Sequence, residues 1–112
     1  MLDPLAVKLE QYMDLLGARQ KLVASNIANA DTPGYKTLDI DFQTEFANAA
    51  AGLSPNVIEA KGLPVRNDGN NVSIDREARL LAENDLRFNI ASNLLRDQIR
   101  TVKEAIEEGK NG

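Results

Sequence analysis

The sequence predicts a mainly α-helical protein in which two long amphipathic helices, one towards each end, flank an irregular middle segment. Apolar residues recur at alternating spacings of three and four near both ends of the 112-residue chain. Glycine, proline and asparagine interrupt the stretch between them. Only three Phe and two Tyr are present, with no Trp, so few large side chains are available to fill a compact core. We therefore expect one structural unit made of residues 1–36, 37–74 and 75–112.

The first helix is predicted to run from Asp3 to Ala30. Asp3 is a good N-cap, and Pro4 suits the first helical position. At about 1.5 Å per residue this helix would be roughly 42 Å long. The spacing predicts a heptad seam along one side, formed by Leu2, Leu5, Leu9, Tyr12, Leu16, Arg19, Val23, Asn26 and Ala30.

The helix is predicted to stop in the turn Thr32-Pro33-Gly34-Tyr35. Proline presets φ for the second turn position, and glycine supplies a positive φ at the third. Two asparagines, Asn26 and Asn29, precede this turn. From the residues alone, they could be polar residues at a fraying helix end or side chains with specific hydrogen-bond partners.

The middle segment contains two candidates for regular structure. Asp41 to Ala51 predicts a short helix, in which Phe42 and Phe46 lie one turn apart as core aromatics. Leu63–Arg66 and Asn71–Ile74 flank an Asn-Asp-Gly-Asn run, which predicts a β-hairpin.

The second helix is predicted to begin with Asp75 as its N-cap and to end near Glu108, before Gly109. Its predicted seam recurs every seven residues, at Leu81, Phe88, Leu95 and Val102. Both helices carry apolar residues beyond a single contact strip, so we expect other chains to cover the remainder. An isolated chain is then expected to be partly disordered at both ends.

Composition excludes most enzyme and cofactor chemistry. The chain has no Cys and no His, which removes thiolate nucleophiles, imidazole bases and the usual zinc sites. No phosphate-binding glycine loop or workable pair of carboxylates is present. Asp39 with Asp41, and Asp68 with Asn70 and Asn71, lack the spacing of a calcium loop and are interpreted as turn and cap residues. We predict no catalytic residues, cofactor, metal or small-molecule substrate.

Charge and hydropathy also limit the partners. A net charge of −4 and a pI near 4.8 argue against a nucleic-acid partner. The N-terminal residues lack the basic and apolar regions of a secretory signal, and no stretch is long enough to span a bilayer. Taken alone, these features predict a soluble cytoplasmic protein.

Several stretches resemble the bacterial flagellar axial proteins, and among them the basal-body rod family. Residues 24–36 are similar to the N-terminal signature of rod and hook proteins. The resemblance continues through Thr37-Leu38-Asp39-Ile40-Asp41-Phe42 and returns at residues 68–77 and 82–88. It covers nearly the whole chain in the right order, although the interval between the two runs is short for the family.

The resemblance implies a structural subunit of the proximal rod that assembles helically and transmits torque. Its terminal helices would form an antiparallel coiled-coil layer around an export channel. The implied assembly motif consists of Asn26, Asn29, Thr32, Pro33, Gly34, Tyr35 and Lys36, with the asparagines bonding at subunit contacts. Asparagine in an apolar seam lowers stability but fixes the register in which the helices pack, and an assembly interface requires a fixed register. Arg19, on the seam itself, is the first candidate for an ion pair between subunits.

The resemblance also implies partners and a route of export. The partners would be other rod subunits, the membrane-ring protein and the ring-rod adaptor. Such subunits pass unfolded through the flagellar type III export apparatus to the periplasmic rod without a cleaved signal peptide. Phe42 and Phe46 lie in a stretch similar to the short segment recognised at the export gate, which is the alternative to their role as core aromatics.

One other function class is compatible with two amphipathic helices. A cytoplasmic helical adaptor or chaperone would use the same apolar seams to bind other proteins. Localisation in the periplasmic rod, or loss of motility and of the rod on deletion, would exclude that alternative.

Overall fold

The computed structural model describes residues 3–52 and 54–111 and has an elongated shape, with extents of 71 × 26 × 18 Å. Two long helices lie side by side along the long axis, and the middle segment packs against them. The elements in chain order are α1 Pro4–Ala28, β1 Leu38–Asp39, α2 Phe42–Ala47, a 3₁₀ turn Ala49–Ala51, β2 Ile58–Glu59 and α3 Ile74–Asn111.

Helix α1 begins as its sequence predicts. The Asp3 carboxylate accepts the backbone N–H of Ala6 at 3.1 Å, and Pro4 occupies the first helical position. The helix ends at Ala28, two residues before the predicted end, with Asn29 as its C-cap. Local capping chemistry therefore sets both ends of α1.

Helix α3 differs from its prediction at both ends. It begins at Ile74, and the Ser73 hydroxyl accepts the N–H of Arg76 at 3.2 Å, so Ser73 caps the helix where Asp75 was expected. Gly109 does not end the helix, which continues to Asn111. Glycine stops a helix when it takes a positive φ, and Gly109 has none; inside a helix it costs only about 1 kcal/mol.

The two long helices run antiparallel, as predicted. Asn84 Nδ2 donates to Gln20 Oε1 at 3.0 Å, while further along α3 Gln98 Nε2 donates to Asp3 Oδ2 at 2.8 Å. Because Gln98 already lies beside the cap of α1, the rest of α3 continues roughly 20 Å past it.

The predicted seams are only partly buried within the chain. On α1, Leu16 and Val23 are buried, Leu9 and Tyr12 are half-buried, and Leu5 is 52% exposed. On α3, Leu95 and Val102 are half-buried, whereas Leu81 and Phe88 are 42% and 40% exposed. Leu2 lies outside the described residues.

The buried side of α3 carries polar residues that an apolar seven-residue repeat cannot identify. Its buried members are Glu77, Leu80, Asn84 and Ala91. Glu77 and Asn84 are polar side chains with hydrogen-bond partners inside the chain. The predicted α3 seam is thus wrong for Leu81 and Phe88 as a description of the contact within one chain.

The middle segment forms a strand pair at a position that was not predicted. β1 pairs antiparallel with β2, Leu38 opposite Glu59 and Asp39 opposite Ile58. The predicted hairpin between 63–66 and 71–74 is wrong, although its turn forms. The reason is that Asn71 donates its N–H to the Tyr35 carbonyl, outside the expected hairpin.

The predicted short helix over 41–51 is confirmed as α2 followed by the 3₁₀ turn. Asp41 caps α2 by accepting the N–H of Thr44 at 3.3 Å. Phe42 and Phe46 both pack edge-on against Tyr12 of α1, with ring centroids 5.4 and 5.6 Å away. These aromatics hold α2 against α1.

Candidate assembly motif

The turn that follows α1 has the geometry its residues predict. The N–H of Tyr35 donates to the Thr32 carbonyl at 3.2 Å, and Gly34 has φ +76°. Proline at the second position and glycine with positive φ at the third are typical of a type II turn. Thr32, Pro33 and Gly34 are exposed, and Tyr35 and Lys36 are half-buried.

Asn26 is the buried centre of the motif, with only 1% of its surface exposed. Its Nδ2 donates to the Leu38 carbonyl at 2.8 Å, and its Oδ1 accepts the Leu38 N–H at 3.0 Å. The Tyr35 hydroxyl donates to the same Oδ1 at 2.9 Å. The side chain therefore ties the start of β1 to the last turns of α1.

Asn29 and Thr32 close the end of α1. The Asn29 side chain donates to the Ser25 carbonyl at 2.9 Å and accepts the Thr32 hydroxyl at 3.0 Å. These bonds join the last turn of α1 to the turn that follows it, and the Ser25 carbonyl also accepts the Asn29 backbone N–H at 3.0 Å. Both asparagines thus bond within their own chain, and the burial of Asn26 corrects the expectation that it bonds at a subunit contact.

A second turn lies against the first. The N–H of Gly69 donates to the Arg66 carbonyl at 2.9 Å, and that of Arg66 to the Asn70 carbonyl at 2.8 Å. Gly34 donates its N–H to the Asp68 carbonyl at 2.8 Å, which joins the two turns directly. We name residues 29–37 and 66–72 together the two-turn cluster.

Asn70 and Asn71 hold the two halves of this cluster together. Asn70 is fully buried, and its Nδ2 donates to the carbonyls of Asn29 and Thr32 at 2.9 and 2.8 Å. Asn71 Oδ1 accepts the N–H of Thr37 at 2.6 Å. Buried polar groups that satisfy one another in this way specify one arrangement of the chain.

Two basic side chains complete the cluster. Lys36 donates to the Gly69 carbonyl, and Arg66 donates to the carbonyls of Ala30 and Val72. Lys36, the last residue of the predicted motif, therefore also contacts the second turn.

A charged group next to the cluster joins α1, β1 and α3. Arg19 donates two hydrogen bonds of 2.9 Å to the Asp39 carboxylate, and Arg76 also donates to Asp39. Arg76 contacts the fully buried Glu77 at 2.6 Å as well. Arg19, the candidate for an ion pair between subunits, is thus paired within its own chain.

Burial and hydrogen bonding have opposite effects on the pKa of Asp39. Burial by itself raises that pKa, but hydrogen bonds from Arg19, the Ile40 backbone and Arg76 lower it by more. The pKa therefore lies below its ordinary value of 3.8, and the carboxylate stays charged.

Sequence reasoning identified the first turn but not the partners of that turn. The sequence predicts Asn70 and Asn71 to be local turn and cap residues, yet they bond to residues more than thirty positions away. A faint signal was present, because the resemblance included both residues 24–36 and residues 68–77.

Within residues 3–52 and 54–111, no cluster of acidic side chains has the geometry to hold a metal ion. Over the same residues, neither long helix has a stretch apolar enough to cross a bilayer.

Comparison with known proteins identifies one family. A family described as "Flagella basal body rod protein" matches residues 13–36, which include most of α1 and the first turn. The flagellar basal body rod protein FlgB of Escherichia coli (strain K12) is 31% identical, with 97% of this chain and 99% of the relative covered. That of Yersinia ruckeri is 30% identical, covering 97% and 100%. That of Borrelia hermsii is 30% identical, covering 87% and 91%.

The first two alignments extend over 137 positions, more than the 112 residues of this chain. Because they cover nearly all of both sequences, the additional residues of the relatives lie within the aligned region and not at its ends.

Proposed function

The chain belongs to the flagellar basal body rod proteins of the FlgB family, a structural class and not an enzyme class, and from this we propose that it packs helically in the proximal rod and transmits torque. The observation that carries the proposal is the similarity along 97% of the chain to FlgB proteins.

The shape of the subunit supports a load-bearing role. The chain is elongated, with a long axis of 71 Å, its two long helices pack antiparallel along the length of α1, and the two-turn cluster fixes one end of that pair. Many large apolar side chains remain exposed, among them Leu5, Leu81 and Phe88. Exposed apolar surface on this scale is typical of a protein that binds neighbours.

The exposed part of the first turn is our candidate for a contact with other subunits. Thr32, Pro33 and Gly34 project from the end of α1, while Asn26, Asn29, Tyr35 and Lys36 hold them in place from inside. We assign the first three residues to the interface and the other four to positioning it.

The partners are expected to be other rod subunits and basal-body components. Among these, we propose the membrane-ring protein and the ring-rod adaptor as the neighbours of a subunit at the proximal end of the rod. The resemblance to the family is the basis for these two assignments.

Export through the flagellar type III apparatus without a cleaved signal peptide is part of the same proposal. Phe42 and Phe46 are half-buried against Tyr12 in the folded chain. An export gate that recognises these two rings would meet them fully exposed only before the chain folds, which agrees with transport of an unfolded chain.

Deletion of the gene followed by electron microscopy of isolated basal bodies tests the proposed role. Cells without the chain should be non-motile and should have basal bodies that lack a rod, and expression of the intact chain should restore both. Labelled chain should appear in purified basal bodies. Normal swimming of the deletion strain, or retention of the chain in the cytoplasm, would contradict the proposal and favour an adaptor.

A further inference from the structure

The second turn of the two-turn cluster contains a pair of residues prone to a spontaneous chemical change. Asp68-Gly69 is the only Asp–Gly pair in the sequence. In such a pair the backbone nitrogen of the glycine can attack the side-chain carboxyl carbon of the aspartate, because glycine has no Cβ to hinder the approach. The Asp68 side chain is 40% exposed, so water reaches its carboxyl group.

The reaction at this pair needs no reactant other than water. A bond forms between Gly69 N and Asp68 Cγ, while the amide proton and a carboxyl OH leave together as water. The product is a five-membered succinimide ring. Water then opens the ring, and opening at the former main-chain carbonyl gives isoaspartate, in which the backbone passes through the Asp68 Cβ. The water lost in the first step returns in the second, and nothing is oxidised or reduced.

Hydrogen bonds hold the reacting groups apart in the folded chain. The Gly69 N–H donates to the Arg66 carbonyl at 2.9 Å, and the Asp68 carbonyl accepts the Gly34 N–H at 2.8 Å. Asp68 Oδ1 accepts the Asn70 N–H at 3.0 Å. For the ring to close, Gly69 N must lose its proton and bond to Cγ, which breaks its hydrogen bond to Arg66.

We propose that Asp68 is a modification site controlled by the fold: it isomerises while the two-turn cluster is open, and closure of the cluster protects it. The rate then follows the fraction of time for which the cluster is locally open. A chain that stays unfolded for long accumulates isoaspartate, whereas a chain with a closed cluster keeps Asp68 intact.

The product also prevents the cluster from closing. Isoaspartate adds one carbon atom to the backbone between Asp68 and Gly69 and displaces the carbonyl that accepts the Gly34 N–H. The two turns have no space for this, since even a Cβ atom on Gly69 would lie 3.2 Å from the Cα of Gly34. Isomerised chains therefore remain open, which separates aged chains from intact ones.

Asp68→Asn makes the reaction easy to measure. Asparagine closes the same ring faster than aspartate and releases ammonia, so each event changes the mass of the chain. The substitution keeps the Oδ1 atom that accepts the Asn70 N–H. The ion pair that it removes, with Arg66, is largely exposed and contributes little to stability. Helicity measured by circular dichroism checks that the variant folds.

Mass spectrometry of the tryptic peptide 67–76 assigns the change to position 68 and distinguishes it from reaction at Asn111-Gly112. At neutral pH the reaction should be at least about tenfold slower in the folded variant than in urea, since an opening free energy of about 1.4 kcal/mol already gives that factor. Equal rates in a variant of normal helicity would overturn the proposal.

Lys61→Asn is the matched control, because it places asparagine before another glycine of positive φ. Gly62 has φ +75°, close to the +84° of Gly69, and both Lys61 and Gly62 are exposed. Among residues 3–52 and 54–111, the Gly62 N–H makes no backbone hydrogen bond. This variant should react nearly as fast when folded as in urea. Protection equal to that of Asp68→Asn would contradict a specific effect of the cluster.

Opening the cluster by mutation completes the test. Asn70→Ala removes the two side-chain bonds to the carbonyls of Asn29 and Thr32. Combined with Asp68→Asn, and with helicity retained, it should raise the rate in the folded chain at least about fivefold relative to the rate in urea. In the wild type, isoaspartate at Asp68, detected by enzymatic methylation, should form in urea and not in the folded chain. No effect of Asn70→Ala, or equal formation of isoaspartate in both states, would rule out control by the fold.

Discussion

A Cβ atom placed on Gly69 would lie 3.2 Å from the Cα of Gly34. Each glycine has a positive φ in its own turn, and the two backbones approach closely because neither has a side chain. This contact brings together two segments of the two-turn cluster that are thirty-five positions apart.

Gly69→Ala should therefore destabilise the chain more than an equivalent change elsewhere. Gly62 is the matched control, because it also has a positive φ but its added Cβ would meet no atom of residues 3–52 or 54–111 within 4 Å. Both variants pay the cost of a left-handed backbone, about 1–2 kcal/mol. We expect the free energy of unfolding, measured in urea, to fall by about 1 kcal/mol more for Gly69→Ala than for Gly62→Ala. Equal costs would mean that the close approach of the turns contributes nothing.

Asn26→Ala should remove the link between α1 and β1. The substitution leaves both backbone groups of Leu38 and the Tyr35 hydroxyl without their buried partner. We expect the free energy of unfolding to fall by about 3 kcal/mol. Asn93→Ala, at an exposed position of α3, should change it by less than about 0.5 kcal/mol. Similar losses of unfolding free energy for Asn26→Ala and Asn93→Ala would show that the Asn26 side chain does not stabilise the link between α1 and β1.

Asp39→Asn should make the free energy of unfolding vary less with pH in the acid range. The pKa of Asp39 is lower in the folded chain, so between the folded and unfolded pKa values the unfolded chain binds more protons. The stabilisation is therefore present above pH 3.8 and is lost as the pH falls through the folded value. We expect the variant to be less stable than the wild type at neutral pH, because it removes the negative partner of Arg19 and Arg76. The difference from the wild type should vanish well below pH 3.8 in urea titrations.

The exposed Asp85→Asn is the control for that series and should follow the wild type at every pH. A gap between wild type and Asp39→Asn that persists at low pH would show that the ion pairs with Arg19 and Arg76 are not its source.

Gly34→Val should impair swimming more than it lowers the helicity of the purified chain. Valine at φ +76° strains the turn and changes the direction in which the chain leaves α1. Gly52→Val introduces the same strain, at φ +71°, in the middle segment and should leave motility in soft agar unchanged. Normal swimming with Gly34→Val would argue against a role of the turn in assembly.

Amide hydrogen exchange on the dilute monomer should be fast at both ends of the chain, where the start of α1 and the last residues of α3 lie together at one end of the helical pair. The part of α3 after Gln98 extends past the cap of α1, and Leu5, Ile99 and Ile106 are more than half exposed. Backbone hydrogen bonds with little packing around them open easily. Strong protection across residues 5–30 in a proven monomer would contradict this expectation.

Local chemistry made much of the fold predictable. The Asp3 cap, the Pro-Gly turn and the short helix after Asp41 each depend on residues a few positions apart, and each is present. The failures involve partners distant in the chain. Asn71 bonds to Tyr35 and Thr37 in place of the predicted hairpin, and no periodicity in residues 63–74 contains that information.

Partners distant in the chain also explain why the predicted α3 seam is wrong for Leu81 and Phe88. Its buried side includes Glu77, which bonds to Arg76 through one carboxylate oxygen, and Asn84, which bonds to Gln20. A search for recurring apolar residues instead selects Leu81 and Phe88, which lie exposed beside the true contact.

The two-turn cluster also has an evolutionary consequence. It fastens both ends of the intervening segment, residues 38–65, at one place on the helical pair. Lengthening a loop whose ends are already joined costs only about 0.6 kcal/mol for each doubling of its length. Residues could therefore be gained or lost within that loop while the helices keep their alignment, so homologues of unequal length could share one lattice.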